Sequence, residues 1–187
     1  RHEFYEEYPE LKEKRCILYA PTFRDDEVDN PRLALELSQM TEVMREDEVL
    51  LLRLHPHVAA NFSEEMPGSC RGSVRNMSGY PGVTTLLAVS DCLITDYSSI
   101  IYEYCLLDRP MIFYAYDLQK FRQQGRDFYE DYQHYVPGPV AQSQKELADF
   151  WRQGFEWKEK VADFRRKEFE FLDKNATKRL LELIFSI

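Results

Sequence analysis

The sequence lacks several common features, and each absence excludes a class of protein. Only seven of its 187 residues are glycine, and they form no glycine-rich phosphate loop of the Walker or dinucleotide-binding type. No apolar run approaches the roughly 18 residues that a membrane-spanning helix requires. The cysteines, Cys16, Cys70, Cys92 and Cys105, show no CxxC spacing, which predicts free thiols in a reducing cytoplasm and neither disulfides nor a zinc site.

An excess of positive charge is absent as well. The chain has 24 lysine and arginine residues against 33 aspartate and glutamate residues, and its net charge is −9. General nucleic-acid binders usually carry a basic surface, so nucleic acid is not an expected partner. A single basic pocket for a small anion is compatible with this charge balance.

The residues that are present indicate a folded α/β domain, because 44% are hydrophobic and 14% are aromatic. Residues 1–14 are interpreted as a linker or helix from a preceding domain, and residues 15–187 as one domain. Short apolar runs predict strands at 16–20, 49–54, 73–77, 92–95 and 110–115. Amphipathic helices are predicted near 143–154, 156–172 and 176–185. Strands that alternate with helices predict a Rossmann-like parallel sheet flanked by helices.

Polar clusters follow three of the predicted strands. Pro21-Thr22-Phe23-Arg24 follows the first strand, His55-Pro56-His57 the second, and Asp96-Tyr97-Ser98-Ser99 the fourth. Ligands of such sheets bind beyond the carboxyl ends of the strands, so we expect the three clusters to meet in one pocket.

The third cluster combines a strand end, two hydroxyls and a helix start. Unpaired amides at a helix start, together with Ser98 and Ser99, would form a neutral cradle for a phosphate or pyrophosphate. The alternative is that a serine merely caps the helix. Glu103 lies one turn later on the same face. It could accept hydrogen bonds from two ribose hydroxyls, or it could be an ordinary surface glutamate. Asp96 is interpreted as a brace for the turn.

The second cluster contains groups suited to a diphosphate. Arg53 and His55 point to one side at the strand end, where arginine offers a fork of donors and histidine donates or transfers a proton. The alternatives are a surface ion pair for Arg53 and a turn histidine for His55. An HxH metal pair with His57 is disfavoured, because Pro56 bends the chain and no third ligand is evident.

The remaining candidates have both functional and structural interpretations. Thr22 could donate to a phosphate or a base, and Arg24 could neutralise charge or pair with Asp25 or Asp26. The aromatic, charged segment 116–133 is either a flexible cover of the pocket or a packed one. The aromatics of the final helices are interpreted as core, namely Phe150, Trp151, Phe155, Trp157, Phe164, Phe169 and Phe171.

Several ordered motifs together resemble the CDP-glycerol glycerophosphotransferases, the teichoic acid primases and polymerases of Gram-positive bacteria. The matching segments are 17–24, 52–57, 90–91 with 94–99, 107–110 with 113–114, 135–139 and 175–179. The similarity covers about residues 15–180, and the order of the motifs makes it specific.

This resemblance implies the C-terminal, donor-binding half of a two-domain GT-B glycosyltransferase fold. Carried across by motif, the implied contacts to CDP-glycerol are Pro21, Thr22, Arg53, His55, Pro56, Ser98, Ser99 and Glu103. The family often has aspartate where this chain has Glu103. His55 is the implied catalytic residue. The family's proposed general base lies in an N-terminal half that this chain lacks, so we expect the chain alone to be inactive.

The implied activity is transfer of glycerol phosphate from CDP-glycerol to a teichoic acid chain or primer, with release of CMP. No metal and no cofactor are expected, and the implied location is the cytoplasm at the inner face of the cell membrane. The resemblance covers primases and polymerases, and glycerol and ribitol phosphate donors, alike. The alternatives are a UDP-sugar-dependent GT-B glycosyltransferase or epimerase domain and a non-catalytic phosphate-binding module.

Overall fold

The computed structural model describes residues 1–24, 33–56, 59, 72–123 and 128–185. Its centre is a six-stranded sheet in which every neighbouring pair of strands is parallel. The strands are β1 (Arg15–Tyr19), β2 (Glu48–Leu52), β3 (Val74–Asn76), β4 (Cys92–Thr95), β5 (Met111–Tyr114) and β6 (Val140–Ala141). Their order across the sheet is β3-β2-β1-β4-β5-β6, so the direction of the crossovers reverses between β1 and β4.

Helices occupy both faces of the sheet. Those in the described residues are α1 (His2–Glu7), α2 (Leu37–Val43), α3 (Val83–Val89), α4 (Ile100–Tyr104), α5 (Leu118–Gln123), α6 (Tyr132–Tyr135), α7 (Gln144–Gln153), α8 (Lys158–Glu168) and α9 (Ala176–Phe185). Short 3-10 turns cover Pro9–Leu11 and Cys105–Leu107. None of the helices in these ranges is long and apolar enough to cross a bilayer.

Strands buried on both faces explain the continuous apolar runs of the sequence. In β1, Cys16 and Leu18 enter one core cluster, whereas Ile17 and Tyr19 enter the cluster on the opposite face. The five predicted strands and the predicted fold class are confirmed. The two-residue strand β6 was not predicted, because it is too short to show a pattern and depends on pairing with β5.

The first 14 residues contribute directly to this core. Phe4 and Leu11 are fully buried beside Cys16 and Leu18, and the Phe4 ring contacts Tyr80 with 5.6 Å between centroids. The helix expected in this segment is therefore present and packs on the sheet. Its origin in a preceding domain stays a prediction.

The C-terminal helices are less buried than the sequence indicated. Phe164 is buried, and Phe150, Trp151, Phe155, Trp157 and Phe169 are partly buried. Phe171 is 51% exposed, so its assignment to the core was wrong; its ring lies 4.1 Å from the Arg179 guanidinium carbon. Amphipathic spacing predicts that a helix has an apolar face, but it does not show whether this chain covers that face.

Candidate functional site

The carboxyl edge of the sheet brings the loops after β1 and β4 together. The backbone N–H of Thr22 donates to Asp96 Oδ1 at 2.7 Å, and Thr95 Oγ1 donates to the carbonyl of Ala20 at 2.7 Å. These two loops flank the point where the strand order reverses, which is the usual ligand position in open α/β sheets. The expected meeting of the first and third polar clusters is confirmed.

The loop after β2 joins the same edge. The rings of Phe23 and His55 lie 5.2 Å apart between centroids, so His55 adjoins the loop that carries Thr22. His55 and Pro56 are exposed, and the His55 carbonyl accepts a hydrogen bond from Ala59. His57 lies outside the described residues, so the disfavoured HxH metal pair is untested.

The two serines before α4 have different surroundings. Ser98 is half-buried, and its Oγ accepts a hydrogen bond from the N–H of Ile100 at 3.3 Å. Ser99 is exposed and its side chain makes no capping bond to α4. Glu103 lies one turn further along and is exposed. The capping interpretation therefore applies to Ser98, whereas Ser99 is exposed and does not cap α4.

The loop after β1 contributes a buried hydroxyl. Within the described residues, Thr22 Oγ1 is buried and no group meets hydrogen-bond geometry with it. A buried polar atom without a partner costs about 1–3 kcal/mol, so such groups often serve a ligand. Pro21 beside it is half-buried.

Arg53 holds a neighbouring loop in place. Its Nη1 donates to the carbonyls of Met77, Ser78 and Tyr80 at 3.2, 2.5 and 2.6 Å. These three acceptors are backbone groups, and no carboxylate in the described part of the chain forms an ion pair with Arg53. Its contact with a donor diphosphate stays a prediction.

Arg24 forms the main charged network of the site, and its partners there come from distant parts of the chain. Asp25 and Asp26, the partners considered from the sequence, lie outside the described residues; within those residues Arg24 binds Asp96 and Asp117. Its Nη2 lies 2.8 Å from Asp96 Oδ2, and its Nε lies 2.8 Å from Asp117 Oδ2. Those carboxylates follow β4 and β5, more than 70 residues away, so local spacing did not reveal them.

Asp96 braces its turn, as the sequence interpretation predicted. It is 2% exposed, and its Oδ1 accepts hydrogen bonds from the backbone N–H groups of Thr22 and Tyr97, both at 2.7 Å. Burial raises the pKa of Asp96, while the Arg24 guanidinium and the Thr22 donors oppose that rise. Asp96 therefore supports the site from a buried position, by holding the loops that carry Thr22 and Tyr97.

An aromatic cover packs over this network. Tyr97 stacks on Phe121 with 3.9 Å between ring centroids, and Phe128 and Tyr132 lie 5.7 and 5.3 Å from Tyr97. The Tyr132 hydroxyl donates to the carbonyl of Asp96 at 2.8 Å. Of the two interpretations of segment 116–133, the packed cover fits Phe121, Phe128 and Tyr132, whereas Tyr129 is fully exposed.

A metal centre would need converging ligands. Over the described ranges, no group of three or more histidine, cysteine, aspartate or glutamate side chains is arranged to hold a metal ion. The described donors at the edge of the sheet are hydroxyls, amides, the His55 imidazole and the guanidinium groups of Arg24 and Arg53.

Comparison with known proteins identifies close relatives of the chain. A teichoic acid ribitol-phosphate primase of Bacillus spizizenii is 40% identical over 149 residues, which cover 78% of this chain and 37% of the relative. A teichoic acid glycerol-phosphate transferase of Staphylococcus aureus is 36% identical over 146 residues, covering 75% of this chain and 36% of the relative. A teichoic acid glycerol-phosphate primase of Bacillus subtilis is 32% identical over 174 residues, with coverages of 93% and 44%.

Solved structures show the same relationship. A variant of the wall teichoic acid polymerase TagF superimposes with a TM-score of 0.77 at 31% identity, over 99% of this chain and 47% of TagF. A UDP-GlcNAc 2-epimerase of Neisseria meningitidis superimposes with a TM-score of 0.59 at 15% identity, over 100% of this chain and 49% of the epimerase, which shows the shared fold. The sheet is therefore one Rossmann-like half of a GT-B fold.

A family model provides the last comparison. The model described as CDP-Glycerol:Poly(glycerophosphate) glycerophosphotransferase matches residues 2–186, nearly the whole chain. The chain spans less than half the length of these curated relatives. With the relatives and the fold in agreement, the chain belongs to the CDP-glycerol:poly(glycerophosphate) glycerophosphotransferase family.

Proposed function

We propose that this chain is the donor-binding part of an enzyme that transfers glycerol phosphate from CDP-glycerol to a teichoic acid chain or primer and releases CMP. The observation that carries the proposal is the convergence of the loops bearing Thr22, His55 and Ser98 at one edge of the sheet. The family match supports it. A structure of TagF soaked with CDPG, which superimposes with a TM-score of 0.73, supports it as well.

The proposed reaction makes one phosphorus–oxygen bond and breaks another. An acceptor hydroxyl attacks the phosphorus that carries glycerol, and the bond to the CMP oxygen breaks. The hydroxyl proton passes to a base that we place in the part of the enzyme outside this chain. Negative charge then grows on the departing phosphate of CMP, which prearranged donors stabilise more strongly than water does.

The described residues offer such donors. The exposed hydroxyl of Ser99 and the amides that start α4 would receive the diphosphate, and the imidazole of His55 would donate to the leaving phosphate. The proposal needs no metal and no cofactor, because hydrogen-bond donors take the place of a cation. Glu103, which is exposed one turn along α4, would accept hydrogen bonds from the ribose.

We also propose that the parent enzyme works in the cytoplasm at the inner face of the cell membrane, where a growing teichoic acid primer would be its acceptor. The names of the relatives support the acceptor class. Sedimentation of the parent enzyme with membrane vesicles tests this location, and an enzyme that stays wholly in the supernatant contradicts it.

Isothermal titration of the chain with CDP-glycerol, CDP, CMP and UDP tests the donor assignment. We expect CDP and CDP-glycerol to bind at least tenfold more tightly than UDP. A preference for UDP would indicate a UDP-sugar enzyme instead. A folded chain that binds none of the four would indicate a module for another phosphate ligand or a protein partner.

His55→Ala in the parent enzyme tests the catalytic assignment. We expect turnover to fall by at least about 100-fold with the fold retained, because general acid catalysis commonly contributes that much. His134→Ala is the matched control, since His134 is an exposed histidine of α6 that pairs with Asp131. Normal turnover of His55→Ala would remove His55 from the mechanism.

A further inference from the structure

The Arg24 side chain joins three loops of the carboxyl edge of the sheet. Arg24 follows β1, and its two carboxylate partners, Asp96 and Asp117, follow β4 and β5. Each guanidinium nitrogen is engaged: Nε and Nη2 bind Asp117, Nη2 also binds Asp96, and Nη1 donates to the carbonyl of Thr22 at 2.6 Å. Only the planar fork of arginine can make these bonds together.

The network is buried from water. Arg24 is 4% exposed and Asp96 is 2% exposed. The rings of Tyr97, Tyr116 and Phe121 lie 5.0, 5.6 and 5.4 Å from the guanidinium carbon, within cation–π range. Loss of one partner in such a network leaves an uncompensated buried charge, so the whole arrangement depends on Arg24.

The carboxylate held by Arg24 is the one that orients the proposed donor loops. Asp96 binds Arg24 through Oδ2, and through Oδ1 it receives the backbone N–H groups of Thr22 and Tyr97. Thr22 carries the buried hydroxyl that has no hydrogen-bond partner among the described residues, and Tyr97 directly precedes Ser98 and Ser99. A rotation of the Asp96 carboxylate would therefore move both donor loops.

We propose that Arg24 is a positioning residue: its fork to Asp96 and Asp117 sets the spacing between Thr22 on one loop and Ser98 and Ser99 on the other. This proposal rests on the proposed function, because the two loops are the ones assigned to the nucleotide diphosphate. Arg24 itself is covered by aromatic rings and acts on the donor only through these loops.

Arg24→Lys keeps the positive charge and removes the fork. We expect it to weaken CDP binding by the chain about tenfold in isothermal titration, since lysine cannot reach both carboxylates in the arginine geometry. Asp117→Asn should weaken binding less, because the bond from Arg24 to Asp96 survives. Leu147→Ala is the stability control, since Leu147 is fully buried in α7 and belongs to the core cluster that contains Ile17 and Tyr19.

A double-mutant cycle separates positioning from general stability. If Arg24 acts through the serine loop, Arg24→Lys should weaken CDP binding less than threefold in a chain that already carries Ser98→Ala and Ser99→Ala. In the parent enzyme, Arg24→Lys should raise KM for CDP-glycerol more than it lowers kcat.

Three results would overturn the positioning role alone: CDP affinity within twofold of wild type in folded Arg24→Lys, an equal loss of affinity in Leu147→Ala at a matched melting temperature, or full additivity in the cycle. If the wild-type chain binds no CDP at all, the proposed function fails and the positioning role fails with it. The wild-type titration thus distinguishes the two failures.

Discussion

At the scale of single residues, the carboxyl edge of the sheet contains two kinds of polar group. Arg24, Asp96 and Arg53 are partly or fully buried and bonded to other parts of the chain, as buried charges must be. His55 and Ser99 are exposed. The sequence predicted most of the residues at this edge, but long-range contacts decided which of them are buried supports and which are exposed.

Substitutions of Ser98 and Ser99 should distinguish a loss of helix capping from a loss of ligand binding. We expect Ser98→Ala and Ser99→Ala together to weaken CDP binding about 10- to 100-fold, the cost of lost hydrogen bonds to a charged group. Ser99→Ala alone should leave the melting temperature unchanged, because Ser99 makes no capping bond. Titration calorimetry and thermal unfolding measure the two effects.

Ser143→Ala is the control for capping, since Ser143 caps α7 by accepting a bond from Glu146. It should lower stability by about 1 kcal/mol and leave CDP affinity unchanged. Unchanged CDP affinity in the folded double serine variant would contradict the phosphate cradle.

The cysteine thiols provide a test of burial at single positions. Cys16, Cys92 and Cys105 are at most 1% exposed, and burial raises their pKa values to about 11, 12 and 11. Because the thiolate is the reactive form, these sites should resist alkylation in the native chain at pH 8 and react once the chain is unfolded in urea. Mass spectrometry at each site measures the difference, and rapid native labelling of any of the three would contradict their burial.

At the scale of elements, the sequence predicted the four central strands and the edge strand β3, and it missed the other edge strand, β6. β1, β2, β4 and β5 are runs of apolar residues, a pattern that is typical of strands covered by helices on both sides. β6 has two residues, and the turn before it determines its position. The Pro139 carbonyl accepts a hydrogen bond from Phe113, which places β6 beside β5.

Gly138 should be essential for that placement. A Cβ at Gly138 would lie 2.1 Å from the Met111 carbonyl oxygen, so Gly138→Ala forces the turn away from β5. We expect it to lower the free energy of unfolding by about 1–3 kcal/mol or more in urea denaturation. Gly79→Ala is the control, because a Cβ there meets nothing within 4 Å. Equal stability of the two variants would show that the turn adapts freely.

At the scale of the whole molecule, burial is uneven along the chain. Phe4 near the amino terminus is fully buried, whereas the apolar side chains of α9 are largely exposed, including Leu183 at 79% and Phe185 at 61%. The segment interpreted as a linker or helix from a preceding domain therefore contributes to the core, while the last helix contributes little to it.

Because burial differs between the two ends of the chain, shortening an apolar side chain should lower the free energy of unfolding by unequal amounts there. Phe4→Ala should lower the free energy of unfolding by about 3–5 kcal/mol, because it leaves a cavity against Tyr80 and the sheet. Leu183→Ala should change it by no more than about 0.5 kcal/mol. Chemical denaturation of both variants measures the contrast, and a mild effect of Phe4→Ala would mean that α1 is only loosely attached.

The sequence by itself determined the parallel sheet, five of its six strands and the three polar clusters at its carboxyl edge, because buried strands and the clusters that follow them leave local patterns. The ordered motifs also identified the family. Only the tertiary structure decided that Arg24 pairs with Asp96 and Asp117, that Arg53 holds a loop, and that Phe171 is exposed. Those outcomes depend on which distant segments meet in space, and the spacing of residues along a chain does not contain that information.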